Sequence, residues 1–96
     1  MSPLKRKKLK KLRIHIDKLD NKFLNLIAKR TKIVEKILLL KNSKKQIVDK
    51  RRTLLVLKNI KKKSIKRKID PKITNKIWKS MIESYVDFQR RRFRKK

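Results

Sequence analysis

Arg30 and Lys41 are the residues whose types and spacing invite chemistry. Arg30 stands in a seam made of Leu12, Ile16, Leu19, Phe23, Leu26, Ile33, Ile37 and Leu40, which follow one another at alternating helical steps of four and three. A leucine is the usual occupant of such a place. A cation kept in a buried seam needs an anion to meet it, because an unpaired charge out of water is too costly to tolerate. Lys41 follows eleven residues later, close to three helical turns. Both therefore face the same side, with alpha carbons ~16 Å apart along the axis, and their long side chains leave a gap the size of a small ligand. Gln89 ends an otherwise apolar stripe, and Arg52 sits at the start of a second helix, where its guanidinium can turn inward. Together they describe an enclosed cationic site with one neutral amide.

No general base accompanies these groups. The chain has no Ser/His/Asp set with supporting spacing, no glycine for a phosphate loop, and no pair of carboxylates suited to acid and base work. It has no cysteine, and the lone His15 cannot build a metal site by itself. The chemistry expected is that of a catalyst that holds a small dianion and stabilises charge developing inside it, with no covalent intermediate and no cofactor.

Three helices, long, short and medium, have to position these residues. Residues 1–11 form a basic lead-in whose Leu4 and Leu9 can extend the first helix backward, with frayed first residues. The first helix is expected over about 12–41, without Pro or Gly, followed by a loop over 42–48 where the period breaks. Asp49 is the expected N-cap of a second helix over about 49–67, with Leu54, Leu55, Leu57 and Ile60 on its buried side. Asp70 and Pro71 restart the chain as N-cap and N1 of a third helix over about 70–93. That helix carries Ile73, Ile77, Met81 and Tyr85 at four-residue steps, reinforced by Trp78, Ile82 and Phe88.

The expected fold is all-α, a single domain over 1–96. An all-helical domain of this size has a small apolar core unless a second copy completes it, and a long first helix suits a two-fold dimer with first helices antiparallel. No apolar run approaches a membrane span and the basic start lacks the apolar core of a signal peptide, so a soluble, cytoplasmic protein without a membrane partner is expected.

The formal charge is +28, from 35 Lys and Arg against 7 Asp and Glu. Such an excess suggests a nucleic-acid partner, with Arg90, Arg91 and Arg92 as a basic tail. The plainer account is a solvated lysine coat in a chain rich in Ile, Leu and Asn, a bias that an AT-rich coding sequence produces. Loose, non-specific affinity for polyanions follows on either account.

Residues 11–41, KLRIHIDKLDNKFLNLIAKRTKIVEKILLLK, resemble the first helix of the all-helical chorismate mutases, whose pattern is LRxxIDxLDxxLLxLLAxRxxLV with a lysine eleven residues after the second arginine. Leu12-Arg13, Ile16-Asp17, Leu19-Asp20, Ala28, Arg30 and Lys41 fall at that spacing. Asp49 and Arg52 are similar to the Asp and Arg of the family's DPxRE segment, and Gln89 to its closing glutamine; the resemblance runs from about Leu12 to Gln89. It implies an intertwined homodimer of three-helix chains with two active sites, converting chorismate to prephenate in aromatic amino-acid biosynthesis. Arg30 and the second copy's Arg13 would bind the substrate carboxylates with Arg52 lending support, and Asp49, Thr53 and Tyr85 would complete the substrate-binding set. Lys41 and Gln89 would hydrogen-bond the ether oxygen whose bond breaks, and a glutamine in that role predicts activity across neutral pH.

Three features depart from the pattern. Thr53 stands where the family has a glutamate against the substrate hydroxyl, Tyr85 stands where a serine is usual, and the segment from Lys41 to Asp49 is one residue shorter. With MIESYVDFQ at 81–89, they are more similar to the related isochorismate-pyruvate lyases, which share the fold and the cationic pocket but release pyruvate and salicylate from isochorismate. Plainer roles stand beside the catalytic ones: Arg13 has Asp17 one turn on as a surface ion pair, Gln89 can cap a core edge, and Trp78, Met81 and Tyr85 can simply be core.

Overall fold

The computed structural model describes residues 1–94; residues 95–96 of the expected domain lie outside the described residues. The chain is all-α: α1 spans Pro3–Leu39, a single 3-10 turn spans Lys44–Gln46, α2 spans Lys50–Lys66 and α3 spans Pro71–Arg92. With 37, 17 and 22 residues, these are the long, short and medium helices expected. The chain divides into two units, Met1–Ile33 and Val34–Lys96.

The first unit is one stretch of helix. Its basic lead-in is helical from Pro3, where frayed residues were expected. Ser2 is the reason: its Oγ accepts from the Lys5 N–H at 3.2 Å and its carbonyl accepts from the Arg6 N–H at 3.0 Å. Pro3 meanwhile occupies a position whose missing amide costs nothing. With no Gly or further Pro, nothing interrupts the helix before Leu39. Leu12, Ile16, Leu19, Phe23 and Leu26 all lie exposed, Phe23 at 55 %. A helix draws most of its stability from burying such a face.

The second unit holds the last turns of α1, the connection, and the α2–α3 hairpin. Val34, Leu38 and Ile47 are its buried aliphatics. α1 closes at Leu39, two residues earlier than expected, because the Leu40 and Lys41 amides bond to Ile37 and Leu38 at 3.0 and 3.1 Å, tightening the last turn. The expected loop 42–48 is ordered from within: the Gln46 Oε1 accepts from the Asn42 and Ser43 amides, while Ile47 plugs into the interior.

Asp49 caps α2, its Oδ1 accepting from the Arg52 N–H at 3.0 Å, and Asp70 caps α3 through the Lys72 N–H at 2.9 Å. Between the helices the Lys68 amide bonds to the Ile65 carbonyl at 3.1 Å and the Ile69 amide to the Ser64 carbonyl at 2.9 Å, with Lys68 left-handed at φ 56°. This is the reversal normally built on glycine, made by lysine in a chain that has no glycine. α2 and α3 pack on one another. Ser64 and Thr74 meet across the hairpin at 2.7 Å, both buried. Since the Ser64 hydroxyl donates to the Ile60 carbonyl at 2.6 Å, its oxygen is left to accept from Thr74.

Two faces differ from expectation. On α2, Thr53, Val56, Leu57, Ile60 and Ser64 are the residues withdrawn from solvent, one face at helical spacings of three and four, whereas Leu54 and Leu55 stand off that face and are exposed. On α3, Thr74, Trp78, Met81, Tyr85 and Gln89 turn inward, while Ile73 and Ile77 are exposed. Pure four-residue steps drift around a helix of 3.6 residues per turn, so the stripe from Tyr85 back to Ile73 rotates out of the interface. Among the described residues no helix is long and apolar enough to cross a membrane.

Candidate active site

Lys41 and Gln89 are brought into direct contact across 48 residues of sequence: the Lys41 Nζ donates to the Gln89 Oε1 at 2.8 Å. Lys41 owes its place to the end of α1, where it sits just beyond the last turn; Gln89 sits on the inner face of α3 and is 7 % exposed. The Gln89 Nε2 donates in turn to the Tyr85 carbonyl, one turn back, at 3.2 Å. The amide orientation is determined from both ends, because an ammonium only donates and a carbonyl only accepts. The second Nε2 hydrogen and the other ammonium hydrogens stand outside these two bonds.

Burial pulls the Lys41 ammonium below the usual lysine range, while the Asp49 carboxylate acts in the opposite sense. Lys41 and Asp49 line one depression with Leu40, Gln46, Val48 and Lys50. The depression is open to solvent, whereas an enclosed site was expected. Gln46 escaped notice in the sequence, although Ser43 and Gln46 have the Ser-x-x-Gln spacing of a capping box. Its side chain ties down the two amides that follow Lys41.

The other candidate residues lie as follows. Arg52 is exposed in the first turn of α2, its amide spent on Asp49. Thr53 is half-buried and lines a neighbouring groove between α2 and α3 with Leu54, Ile82, Val86, Glu83 and Asp87. Tyr85 serves Gln89 through its backbone, and its ring meets Phe88 edge-to-face at 6.3 Å. Arg13 is exposed and Arg30 half-buried, both on α1 in the Met1–Ile33 unit. Seventeen residues separate them, which is ~25 Å along a helix axis and roughly 100° around it. One small dianion cannot be gripped by both arginines of the same chain.

What this arrangement offers an anion is two neighbouring hydrogen-bond donors, one charged and one neutral. It offers no nucleophile poised against a base. The profile of the family described as Chorismate mutase type II matches residues 12–90, a span that takes in Arg13, Arg30, Lys41 and Gln89. No curated protein and no solved structure matches the chain. The greater part of the sequence therefore carries one family's pattern, and the chain belongs to the chorismate mutase type II family.

Proposed function

We propose that this protein is a chorismate mutase, an isomerase that rearranges chorismate to prephenate without a covalent intermediate. The observation that carries the reading is the Lys41–Gln89 pair at 2.8 Å, within the segment that matches the family. The rearrangement is intramolecular, so the protein gains rate only through interactions stronger in the transition state than in the bound substrate. Negative charge grows on the ether oxygen as its bond to the ring breaks. The Lys41 ammonium and the Gln89 amide hydrogens meet that oxygen and strengthen with its charge. Arg30 and Arg13 from a second copy hold the two carboxylates and the reactive conformer, with Asp49 and Arg52 at the site's edge.

A homodimer belongs to this reading. The ~25 Å between Arg13 and Arg30 on one helix, and the exposed apolar seam of α1, both ask for another chain. Packing α1 against a second copy would bury Leu19, Phe23 and Leu26 and carry Arg13 into the partner's site.

Thr53, in place of the family's glutamate against the substrate hydroxyl, and Tyr85, in place of its usual serine, favour a second reading, isochorismate-pyruvate lyase. The test is turnover of chorismate and isochorismate side by side. Prephenate from chorismate, with isochorismate left largely intact, is expected of the mutase. Pyruvate and salicylate from isochorismate with little prephenate would move the protein to the lyase branch. Turnover of neither would reject both.

A further inference from the structure

From the structure we infer that the outer face of α2 is a docking surface for the phosphate backbone of a nucleic-acid duplex. Lys58, Lys62 and Lys66 follow one another at four-residue steps, and all three are exposed. Lys62 lies two residues from Ile60 and two from Ser64, the residues that face α3, which puts it ~200° around the helix from each, on the side away from the hairpin partner. Arg51, also exposed, continues the line seven residues before Lys58. No acidic residue stands anywhere between Asp49 and Asp70.

Charge placed this way has an energetic consequence for the helix itself. Like charges four residues apart oppose helix formation, and Lys58–Lys62 and Lys62–Lys66 are two such pairs with no carboxylate on α2 to offset them. An anionic partner removes that repulsion. Successive lysines rise ~6 Å along the helix, while each strand of a duplex presents a phosphate about every 3.4 Å of its axis, so phosphates are dense enough to meet each lysine of the stripe.

The composition of α2 decides between polyanions. It contains no aromatic residue on which an unpaired base could stack. Leu55 and Ile65 are the exposed apolar residues that fall among the outer cations, whereas a helix lying in a lipid surface needs a continuous apolar face. Backbone contact with a duplex, without base readout, is what remains.

The test uses the full chain and a short fluorescein-labelled DNA duplex of arbitrary sequence, titrated by anisotropy between about 50 and 200 mM salt. The triple variant Lys58→Gln, Lys62→Gln, Lys66→Gln is compared with a control that removes equal charge from α1, Lys5→Gln, Lys8→Gln, Lys11→Gln. Neither set touches the proposed site, so turnover and far-UV circular dichroism report independently on activity and fold. The α2 variant is expected to reduce the slope of log K against log salt by about 2.7, at about 0.9 for each phosphate that a lysine no longer neutralises; the α1 control is expected to leave it unchanged. Equal reductions in the two variants would assign the affinity to net charge alone and overturn the proposal. So would tighter capture by phosphatidylserine vesicles than by the duplex. Should the triple variant lose helicity, Lys62→Gln alone still has to lower the slope by about 0.9.

Discussion

At the scale of single residues, catalysis in the proposed reaction rests on two donors that share one acceptor site. Lys41→Ala or Gln89→Ala is expected to lower kcat by about 100- to 1000-fold, the usual cost of removing one donor from a developing oxyanion. Circular dichroism should change little in Lys41→Ala, whose side chain is only partly buried. Gln89→Glu separates hydrogen bonding from shape. A carboxylate cannot donate, so the variant should be nearly inactive at neutral pH and recover as acidification protonates it. A kcat/KM profile that stayed flat toward acid would argue against a donor at position 89. Lys41 predicts the alkaline side. Its working form is the ammonium, burial draws its pKa below the lysine norm, and so kcat/KM should fall with rising pH at a midpoint below the ordinary lysine value of about 10.4.

Helix ends dominate at the scale of elements. The reversal between α2 and α3 places Lys68 at φ 56°, a conformation that costs an L-residue about 1 kcal/mol and glycine almost nothing. Lys68→Gly should therefore stabilise the hairpin by about 0.5–1 kcal/mol and raise Tm by several degrees, as read by thermal unfolding in circular dichroism. A lower Tm would show that Lys68 makes compensating interactions. The caps at Asp49 and Asp70 were legible because capping is local: an acceptor, a first-turn amide and, at Pro71, a missing donor all lie within three residues. Ser2 and Pro3 carry the same signal. The run of seven basic residues that follows within positions 5–13 obscured it, suggesting a frayed tail where the helix is already capped.

At the scale of the whole molecule, the exposed seam of α1 and the distance between Arg13 and Arg30 make one test decisive for the proposed dimer. Arg13→Ala and Arg30→Ala should each be inactive alone. Mixed under conditions that exchange subunits, they should regain about a quarter of wild-type activity, because half the dimers are then mixed and each mixed dimer has one intact site of two. No recovery, with mixed dimers verified by mass, would place both arginines in the same chain's site or in none. Light scattering should give twice the chain mass for the wild type, and Leu19→Asp should weaken that assembly and reduce helicity with it.

The sequence by itself determined the helices, their caps and the identity of the cationic residues, since each depends on neighbours within a turn or two. Arg30, Lys41 and the pattern around them were readable for that reason. Only tertiary structure decided that Lys41 reaches Gln89, because closure of α1 at Leu39 and the Gln46 tether set where its amine stands. Likewise, only packing decided that Thr74 and Trp78 rather than Ile73 and Ile77 face inward on α3. Which side of a helix is buried depends on the angle at which a neighbour meets it, and no local spacing contains that angle.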